Sequence, residues 1–144
     1  MSDVTIKVMP WSEAEHHAGP LRFEVFMQTN TGATGVEVNE GDNDCVHVLA
    51  YDGGRPIGTA RLMPDGQISR MVVVKEWRRR GVGGLMLDAL VEEARKRGFA
   101  DVRVMAPMQA MEFYRERGFV ADGKVVKSGS SLQQPVKKDL TAAR

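Results

Sequence analysis

The residues best suited to chemistry lie in one segment, MVVVKEWRRRGVGG at positions 71–84. An apolar run typical of a strand leads through a basic turn into glycines that open a helical pattern. The first amides of a helix have no intrahelical partner and carry a partial positive charge, so they bind an oxyanion. Glycines let the backbone approach that anion, and the guanidinium groups of Arg78, Arg79 and Arg80 match phosphate oxygens. The segment predicts a binding site for a phosphate-bearing ligand, and a pyrophosphate in particular.

The details of the turn narrow the class of phosphate ligand. A P-loop needs a lysine followed by serine or threonine after its last glycine, whereas two apolar residues follow Gly84 here. A dinucleotide fingerprint would begin at Gly81 and Gly83, but Met86 takes the place of its third small residue and is too large for close helix packing. Asp101, about 20 residues further on, stands where an acid that binds a ribose would lie. The dinucleotide interpretation is therefore disfavoured but stays open.

The spacing Arg78-x-x-Gly81-x-Gly83 resembles the acyl-CoA pyrophosphate loop of the GNAT superfamily of N-acetyltransferases. The likeness extends along RMVVVKEWRRRGVGGLMLDALVEEARKRGF, and FYRERGF at positions 113–119 is similar to the family's FYxxxGF segment. Upstream, LRFEVF, the acidic stretch at positions 37–47 and GTARLMPDGQISR resemble a small bacterial branch of ElaA-like and YjcF-like acetyltransferases. Together these segments span most of the chain, so the resemblance is far more specific than a glycine turn alone.

The resemblance implies a fold and a co-substrate. The implied fold is α/β (α+β): a single GNAT-like domain with a mixed, mostly antiparallel central sheet, flanking helices and splayed central strands. The implied co-substrate is acetyl-CoA, with no metal. Pantetheine would pair with exposed backbone of the central strand, although from its pattern alone that strand reads as an ordinary buried one. The residues implied to bind the co-substrate are Met71, Val72, Val73, Arg78, Arg79, Arg80, Gly81, Val82, Gly83, Gly84 and Phe113.

Acetyl transfer to an amine requires a neutral amine, a polarised thioester carbonyl and a proton for the departing thiolate. By resemblance Tyr114 lies near the sulfur, and its hydroxyl pKa is close to that of a thiol, so it is the predicted general acid. Without the resemblance, Tyr114 would instead be predicted to be a core residue, because buried tyrosines usually have a hydrogen-bonded hydroxyl. The implied reaction is direct attack by the amine in a ternary complex.

The general base is harder to assign from the sequence. His47 begins a strand after an acidic segment and titrates near neutral pH, so it is the predicted base. The nearby acids Glu24, Glu37, Asp42 and Asp44 could attract a cationic acceptor or relay its proton, although most loop acids are simply solvated. An acyl-enzyme on Cys45, with His47 two residues on, is a weaker alternative.

The chain departs from the branch at positions around the acceptor. Relatives carry Asn-Ala-Gln where this chain has Met105, Ala106 and Pro107, and they often carry Glu and His where it has Ser128 and Gln133. Because of these replacements, the sequence does not determine the acceptor beyond its class, an amine of a small molecule or a peptide. The replacements also motivate an alternative function, that of a CoA-binding sensor or partner module with little catalytic activity.

Composition sets limits on the remaining classes. The chain has 144 residues, which suit a single domain over 1–144, and 20 basic side chains against 19 acidic ones. This near balance of charge predicts no nucleic-acid partner and no membrane partner. A nucleic-acid binder that uses the two basic clusters, at 78–80 and 95–97, is a disfavoured third hypothesis. The single cysteine and the absence of a signal-like apolar run favour a cytoplasmic location. A homodimer is compatible with the resemblance.

Periodicity and turn residues predict the order of elements. A first strand precedes Pro10, a helix is expected to be interrupted at Gly19 and Pro20, and a long loop follows at 29–43. The helix after the glycine turn is the best determined, because an apolar stripe recurs at three- and four-residue spacing up to its terminator, Gly98. The other predicted elements are strands at 4–8, 47–52, 55–63, 67–74 and 102–105, a helix at 108–117, and closing strands up to residue 140.

Overall fold

The structure is a computed structural model that describes residues 4–27 and 38–141. Most of the predicted 29–43 loop, and with it Glu37, lies outside the described residues. The final part of that segment contains a single 3-10 turn, Asp42–Asp44.

Strands and helices follow one another in nearly the predicted order. Further 3-10 turns occur at Lys75–Trp77 and Met108–Ala110. The elements are β1 (Val4–Pro10), α1 (Trp11–Met27), β2 (Val46–Asp52), β3 (Arg55–Leu62), β4 (Ile68–Val73), α2 (Val82–Lys96), β5 (Asp101–Pro107), α3 (Met111–Glu116), β6 (Val120–Ala121), β7 (Val126–Ser128) and β8 (Ser131–Asp139).

The strands form two antiparallel sheets. The first has the order β1-β2-β3-β4 and is a meander, in which the Gly53-Gly54 turn joins β2 to β3 as predicted. The second has the order β5-β8-β6, and β7 also pairs with β8. The α+β fold with antiparallel sheets flanked by helices is thereby confirmed.

The two sheets meet at one point between β4 and β5. Gln67 and Arg103 form a parallel bridge, and the Arg103 amide donates to the Gly66 carbonyl at 2.9 Å. Gly66 adopts φ +94°, and a Cβ there would lie 2.9 Å from the Asp101 carbonyl oxygen, so only glycine fits this junction without a shift. Beyond the bridge the described parts of β4 and β5 do not pair. The central strands are therefore splayed, as the resemblance implied.

The two long helices lie on opposite faces of the first sheet. The ring of Trp11 in α1 packs against His47 at 4.8 Å, whereas Met86 in α2 contacts Gly58. Gly58 pairs with Ala50, whose side chain points to the face opposite that of His47, because successive strand residues alternate. The apolar stripe of α2 is buried, and Gly98 ends the helix at φ +82°. The predictions for this helix and its terminator are confirmed.

The predicted interruption of the first helix is wrong. α1 runs without a break from Trp11 through Gly19 and Pro20. A proline inside a helix removes one backbone hydrogen bond and costs roughly 3 kcal/mol. The helix continues because the residues that follow the proline are held by tertiary contacts, Leu21 in the core and Arg22 in a buried ion pair. Tertiary packing here overrides the local preference.

A buried ionic cluster ties α1 to the 3-10 turn and to β3. The Asp42 carboxylate, 2% exposed, accepts hydrogen bonds from Arg22 at 2.7 Å and 3.1 Å and from Arg61 at 2.9 Å. The Asn39 amide donates to the same carboxylate at 2.7 Å. Burial by itself raises the pKa of Asp42, but these donors outweigh burial, and the pKa lies below its ordinary value. Asp42 is therefore ionised at neutral pH.

We expect the Asp42→Asn substitution to lower the free energy of unfolding by about 3–5 kcal/mol, because it leaves two buried guanidinium groups without their anion. Urea denaturation at pH 7 measures this change. Asp44→Asn, at an exposed position of the same turn, is the matched control and should change stability by less than about 0.5 kcal/mol. Equal effects of the two substitutions would contradict a dominant role for the cluster.

The same carboxylate predicts a pH dependence of stability. Folding lowers the pKa of Asp42 below 3.8. The contribution of this carboxylate to the free energy of unfolding is therefore complete above that pH and is lost as the pH falls through the lower pKa of the folded state. The wild-type protein should therefore lose more stability than Asp42→Asn between pH 5 and the acid limit, as followed by thermal unfolding. Parallel pH profiles for the two proteins would refute this.

Candidate active site

A cavity of about 390 Å³ surrounds the glycine turn between β4 and α2. Gly81 begins α2 in the left-handed region, at φ +85°, and Arg79 is also left-handed, at φ +65°. This backbone brings the first amides of a 15-residue helix to the cavity wall. The lining residues are Val73, Trp77, Arg78, Arg79, Gly81, Val82, Gly83, Gly84 and Phe113.

The three consecutive arginines have different positions. Arg78 lines the cavity and its Nε donates to the Val73 carbonyl at 2.9 Å, which fixes this guanidinium between the strand and the turn. Arg79 lines the same cavity. Arg80 instead stacks on the buried Trp77 ring at 4.8 Å and does not line the cavity. Two of the three predicted arginines thus line the cavity at the glycine turn.

The remaining glycines of the turn have separate spatial roles. Gly83 faces the strand gap, where a Cβ would lie 3.7 Å from Met71 Sδ. A Cβ on Gly84 would overlap the Arg117 guanidinium, which stacks 4.7 Å above the Phe113 ring. Gly84 thus leaves room for a side chain that holds Phe113 in place.

The central strand β4 contains a bulge at Arg70, which has φ +55°. Ile68 and Val72 are buried, whereas Met71 and Val73 are partly exposed and each lines a cavity. The Val72 side chain lines neither cavity, and this residue pairs with Thr59 of β3. Met71 and Val73 therefore each face a cavity, whereas Val72 is directed into the core.

A second cavity, of about 770 Å³, opens where β4 and β5 diverge. Phe113 belongs to its lining as well as to that of the first cavity, so the two cavities follow one another along β4. The lining of this larger cavity comprises Phe26, Arg61, Met63, Gln67, Ile68, Ser69, Arg70, Met71, Val104, Met105, Pro107, Ala110, Phe113, Tyr114 and Gln133.

Tyr114 lies in this cavity. Its ring packs edge-on against Phe113 and Phe119, with centroids 5.0 Å and 5.6 Å away, and the residue is 7% exposed. No group in the described part of the chain forms a hydrogen bond with the hydroxyl, in contrast to the core tyrosine with a bonded hydroxyl that was the alternative. Burial raises the pKa of Tyr114, so the hydroxyl keeps its proton at neutral pH.

His47 does not line the cavity that contains Tyr114. It is fully buried in β2, beneath Trp11, and its Nε2 is 3.0 Å from the Asp42 carbonyl. Nδ1 has no partner within the described ranges. Burial lowers the pKa of His47, so the ring is neutral. The structure thus does not bring together the two residues predicted to be catalytic.

Of the other candidates for proton or acyl transfer, the four that the structure describes lie outside both cavities: Glu24, Asp42, Asp44 and Cys45. Cys45 is 5% exposed and its thiol donates to the Gly41 carbonyl at 3.2 Å, while burial raises the pKa of the thiol. A thiol of this kind is a poor nucleophile. Asp42 is engaged by Arg22 and Arg61, and is not available to attract a cationic acceptor.

Three of the positions at which the chain departs from its branch line the cavity. They are Met105, Pro107 and Gln133, and they lie beside Tyr114. Arg61 and Arg70 are not among the site residues that the sequence predicts. They lie within the segment GTARLMPDGQISR, but their convergence on one cavity depends on the pairing of β3 with β4.

Comparison with known proteins agrees with this arrangement. The acetyltransferase (GNAT) domain family matches residues 15–140. This chain belongs to the GNAT acetyltransferase family. The protein named uncharacterized N-acetyltransferase YjcF, from Bacillus subtilis, is 34% identical over 102 residues that cover 69% of this chain and 73% of YjcF.

Solved structures share the fold at lower identity. Escherichia coli ElaA has a TM-score of 0.79 and 18% identity, over 95% of this chain and 100% of ElaA. BjaI, a CoA-dependent acyl-homoserine lactone synthase solved with SAM and isopentyl-CoA, has a TM-score of 0.78 and 20% identity, over 96% of this chain and 84% of BjaI. The α+β fold is thus shared with proteins that differ widely from this chain in sequence.

The fold also bears on the other hypotheses. A dinucleotide fold needs a parallel sheet, whereas both sheets here are antiparallel. The two basic clusters lie at opposite ends of α2, about 20 Å apart at 1.5 Å per residue, so they do not form one patch. None of the described helices is long and apolar enough to cross a membrane, and the described residues contain no cluster of metal-ligating side chains.

We expect Gly81→Ala to lower the free energy of unfolding by about 1–2 kcal/mol, because a Cβ is disfavoured at its left-handed φ although nothing crowds the position. Gly83 lies two residues further on, in helical conformation, and a Cβ there would make only an ordinary van der Waals contact. Gly83→Ala should therefore be neutral or stabilising by up to about 1 kcal/mol. Chemical denaturation of both variants measures the difference. The reverse order of stability would contradict the described turn.

Proposed function

We propose that this protein is an acetyl-CoA-dependent N-acetyltransferase that moves an acetyl group to a primary amine by direct attack in a ternary complex. One observation carries the proposal: the glycine turn and Tyr114 line two cavities that follow one another along the open edge of β4 and share Phe113. This arrangement offers an anion site at one end and a proton donor at the other, with an unpaired strand edge between them.

The first cavity is suited to the pyrophosphate of CoA. The amides of the α2 N-terminus carry partial positive charge, and Arg78 and Arg79 line the same space. Because Arg78 uses Nε for the Val73 carbonyl, its terminal nitrogens are available for phosphate oxygens. A pyrophosphate there neutralises charge that the turn otherwise leaves uncompensated.

The strand edge is suited to pantetheine. β4 has no partner strand along its far side beyond Gln67 within the described residues, so the polar backbone groups on that side, apart from the Val73 carbonyl that Arg78 uses, can pair with an extended amide chain. Met71, Val73 and Phe113 give that path an apolar wall. A chain bound by its pyrophosphate at the turn is thereby directed towards Tyr114.

Tyr114 acts as the general acid in this proposal. Acetyl-CoA supplies the thioester carbonyl and the thiolate leaving group. As the new C–N bond forms and the C–S bond breaks, Tyr114 donates its hydroxyl proton to the sulfur and regains a proton from water. The raised pKa of Tyr114 keeps the proton in place until the thiolate departs. Since His47 does not line the cavity, we assign removal of the amine proton to water in the open part of the cavity.

We expect Tyr114→Phe to lower kcat for CoA release about 100-fold or more at pH 7 while the Kd for CoA stays within about twofold, because only proton donation is lost. A thiol-release assay over a panel of primary amines, combined with calorimetry, gives both quantities. Tyr51→Phe is the matched control, because Tyr51 bonds to His17 outside both cavities. Unchanged turnover in Tyr114→Phe would remove this residue from the mechanism. Binding of CoA without thiol release for any amine would favour the sensor or partner module.

The pyrophosphate site has a separate test. We expect Arg78→Ala to weaken CoA binding about 10- to 100-fold, because a charge-assisted hydrogen bond is worth roughly 1.5–3 kcal/mol. Pantetheine, which lacks the pyrophosphate, should bind wild type and variant alike. Arg97→Ala, at the other end of α2 and paired with Glu93, is the control and should leave the Kd unchanged. Isothermal titration calorimetry measures all of these constants, and equal Kd values for CoA in wild type and Arg78→Ala would refute the site.

A further inference from the structure

We infer that the amine acceptor carries a carboxylate, which Arg70 and Arg61 bind in the larger cavity. This inference rests on the proposed function and specifies its substrate class. It differs from the sequence-based expectation that acidic residues attract a cationic acceptor.

Within the described part of the chain, the charged side chains that line the larger cavity all have one sign. Arg61 and Arg70 contribute guanidinium groups to its lining, and none of its lining residues within 4–27 and 38–141 is an aspartate or a glutamate. Tyr114, Ser69, Gln67 and Gln133 supply neutral polar groups. A cavity of this composition attracts an anion and repels a polyamine.

The buried cluster behind Arg61 does not neutralise it. Arg22 and Arg61 share the carboxylate of Asp42, and His47 beside them is neutral, so the described residues of the cluster comprise two cations and one anion. Arg61 is 7% exposed. A net positive charge is therefore held at the cavity wall in a region of low dielectric, where it interacts strongly with an added anion.

The guanidinium of Arg61 also keeps one donor available for an anion. Its Nε donates to the Ser69 hydroxyl at 3.0 Å, and its Nη1 donates to the Glu40 carbonyl and to Asp42. No described residue accepts a hydrogen bond from Nη2. These bonds fix the guanidinium plane, so Nη2 is a preorganised donor for a ligand oxygen.

Arg70 is a second, independent donor. It lies at the bulge of β4 with φ +55°, a conformation that costs a non-glycine residue energy and is often found at functional sites. Its guanidinium lies 5.3 Å from the Phe26 ring and forms no ion pair or hydrogen bond with any residue that the structure describes. The bulge thus presents to the cavity an arginine that has no counter-ion among the residues described.

The same positive charge assists the chemistry. A carboxylate bound by these arginines brings an acceptor's amine into the cavity of Tyr114. Neighbouring guanidinium groups favour the neutral form of that amine, because a second cation nearby disfavours ammonium. A neutral amine can attack without a dedicated basic side chain, which agrees with the position of His47 outside the cavity.

The test compares acceptors that differ only in the carboxylate. Each of the common L-amino acids is paired with its amide, and thiol release is measured for wild type, Arg70→Gln and Arg70→Lys. For the pairs that react, we expect kcat/KM to be about 10- to 100-fold higher for the acid than for the amide. Arg70→Gln should remove most of this preference, and Arg70→Lys should keep part of it. Arg55→Gln, which alters an exposed arginine paired with Glu76, is the matched control and should retain the full preference.

A binding measurement covers the case in which no amino acid reacts. In CoA-saturated protein, N-acetyl-L-phenylalanine should bind at least about tenfold more tightly than its amide, and Arg70→Gln should abolish the difference. Equal affinities of the wild type for the acid and the amide, or an equal loss of affinity for both in Arg70→Gln, would overturn the inference. Failure of the wild type to bind CoA would instead refute the proposed function, so the two failures are distinguishable.

Discussion

The arrangement of the site depends on one constraint, the separation of β4 from β5 after a single bridge. Gly66 permits the close approach at that bridge, and the bulge at Arg70 then turns the strand. A continuous sheet would satisfy the backbone of β4 and leave no room between the strands. Because the strands diverge, the same backbone is free to pair with a ligand, and α2 can present its N-terminus at one end of the gap.

The distribution of charge divides this gap into two sites of like sign. The glycine turn has helix amides with Arg78 and Arg79, while the far end has Arg61 and Arg70. Between them lie Phe113 and apolar strand residues, which suit an uncharged linker. The buried Asp42 anchors Arg61 of the far site, but it is shared with Arg22 and cannot neutralise both of these arginines. An acyl donor with a pyrophosphate and an acceptor with a carboxylate match this pattern.

The sequence predicted the parts of this site that local patterns determine. The glycine turn, the stripe of α2 and its Gly98 terminator follow from spacing and turn chemistry, and the family resemblance implied the splayed strands. Two features depend on tertiary context. Packing of Leu21 and Arg22 keeps α1 intact through Pro20, and strand pairing decides that His47 faces Trp11 while Arg61 reaches the cavity. Alternation along a strand tells which residues share a face, but not which face meets the ligand.

The most direct test of the account is an NMR titration of backbone amides with CoA. If CoA lies along the open edge of β4, the amides of Met71, Val73, Gly81, Gly83 and Gly84 should shift together and saturate at one Kd. The amides of Arg95, Lys96 and Arg97, at the far end of α2, should stay in place. Saturable shifts confined to the far end of α2, or no shifts at millimolar CoA, would contradict the central claim that the strand gap and glycine turn form one binding site.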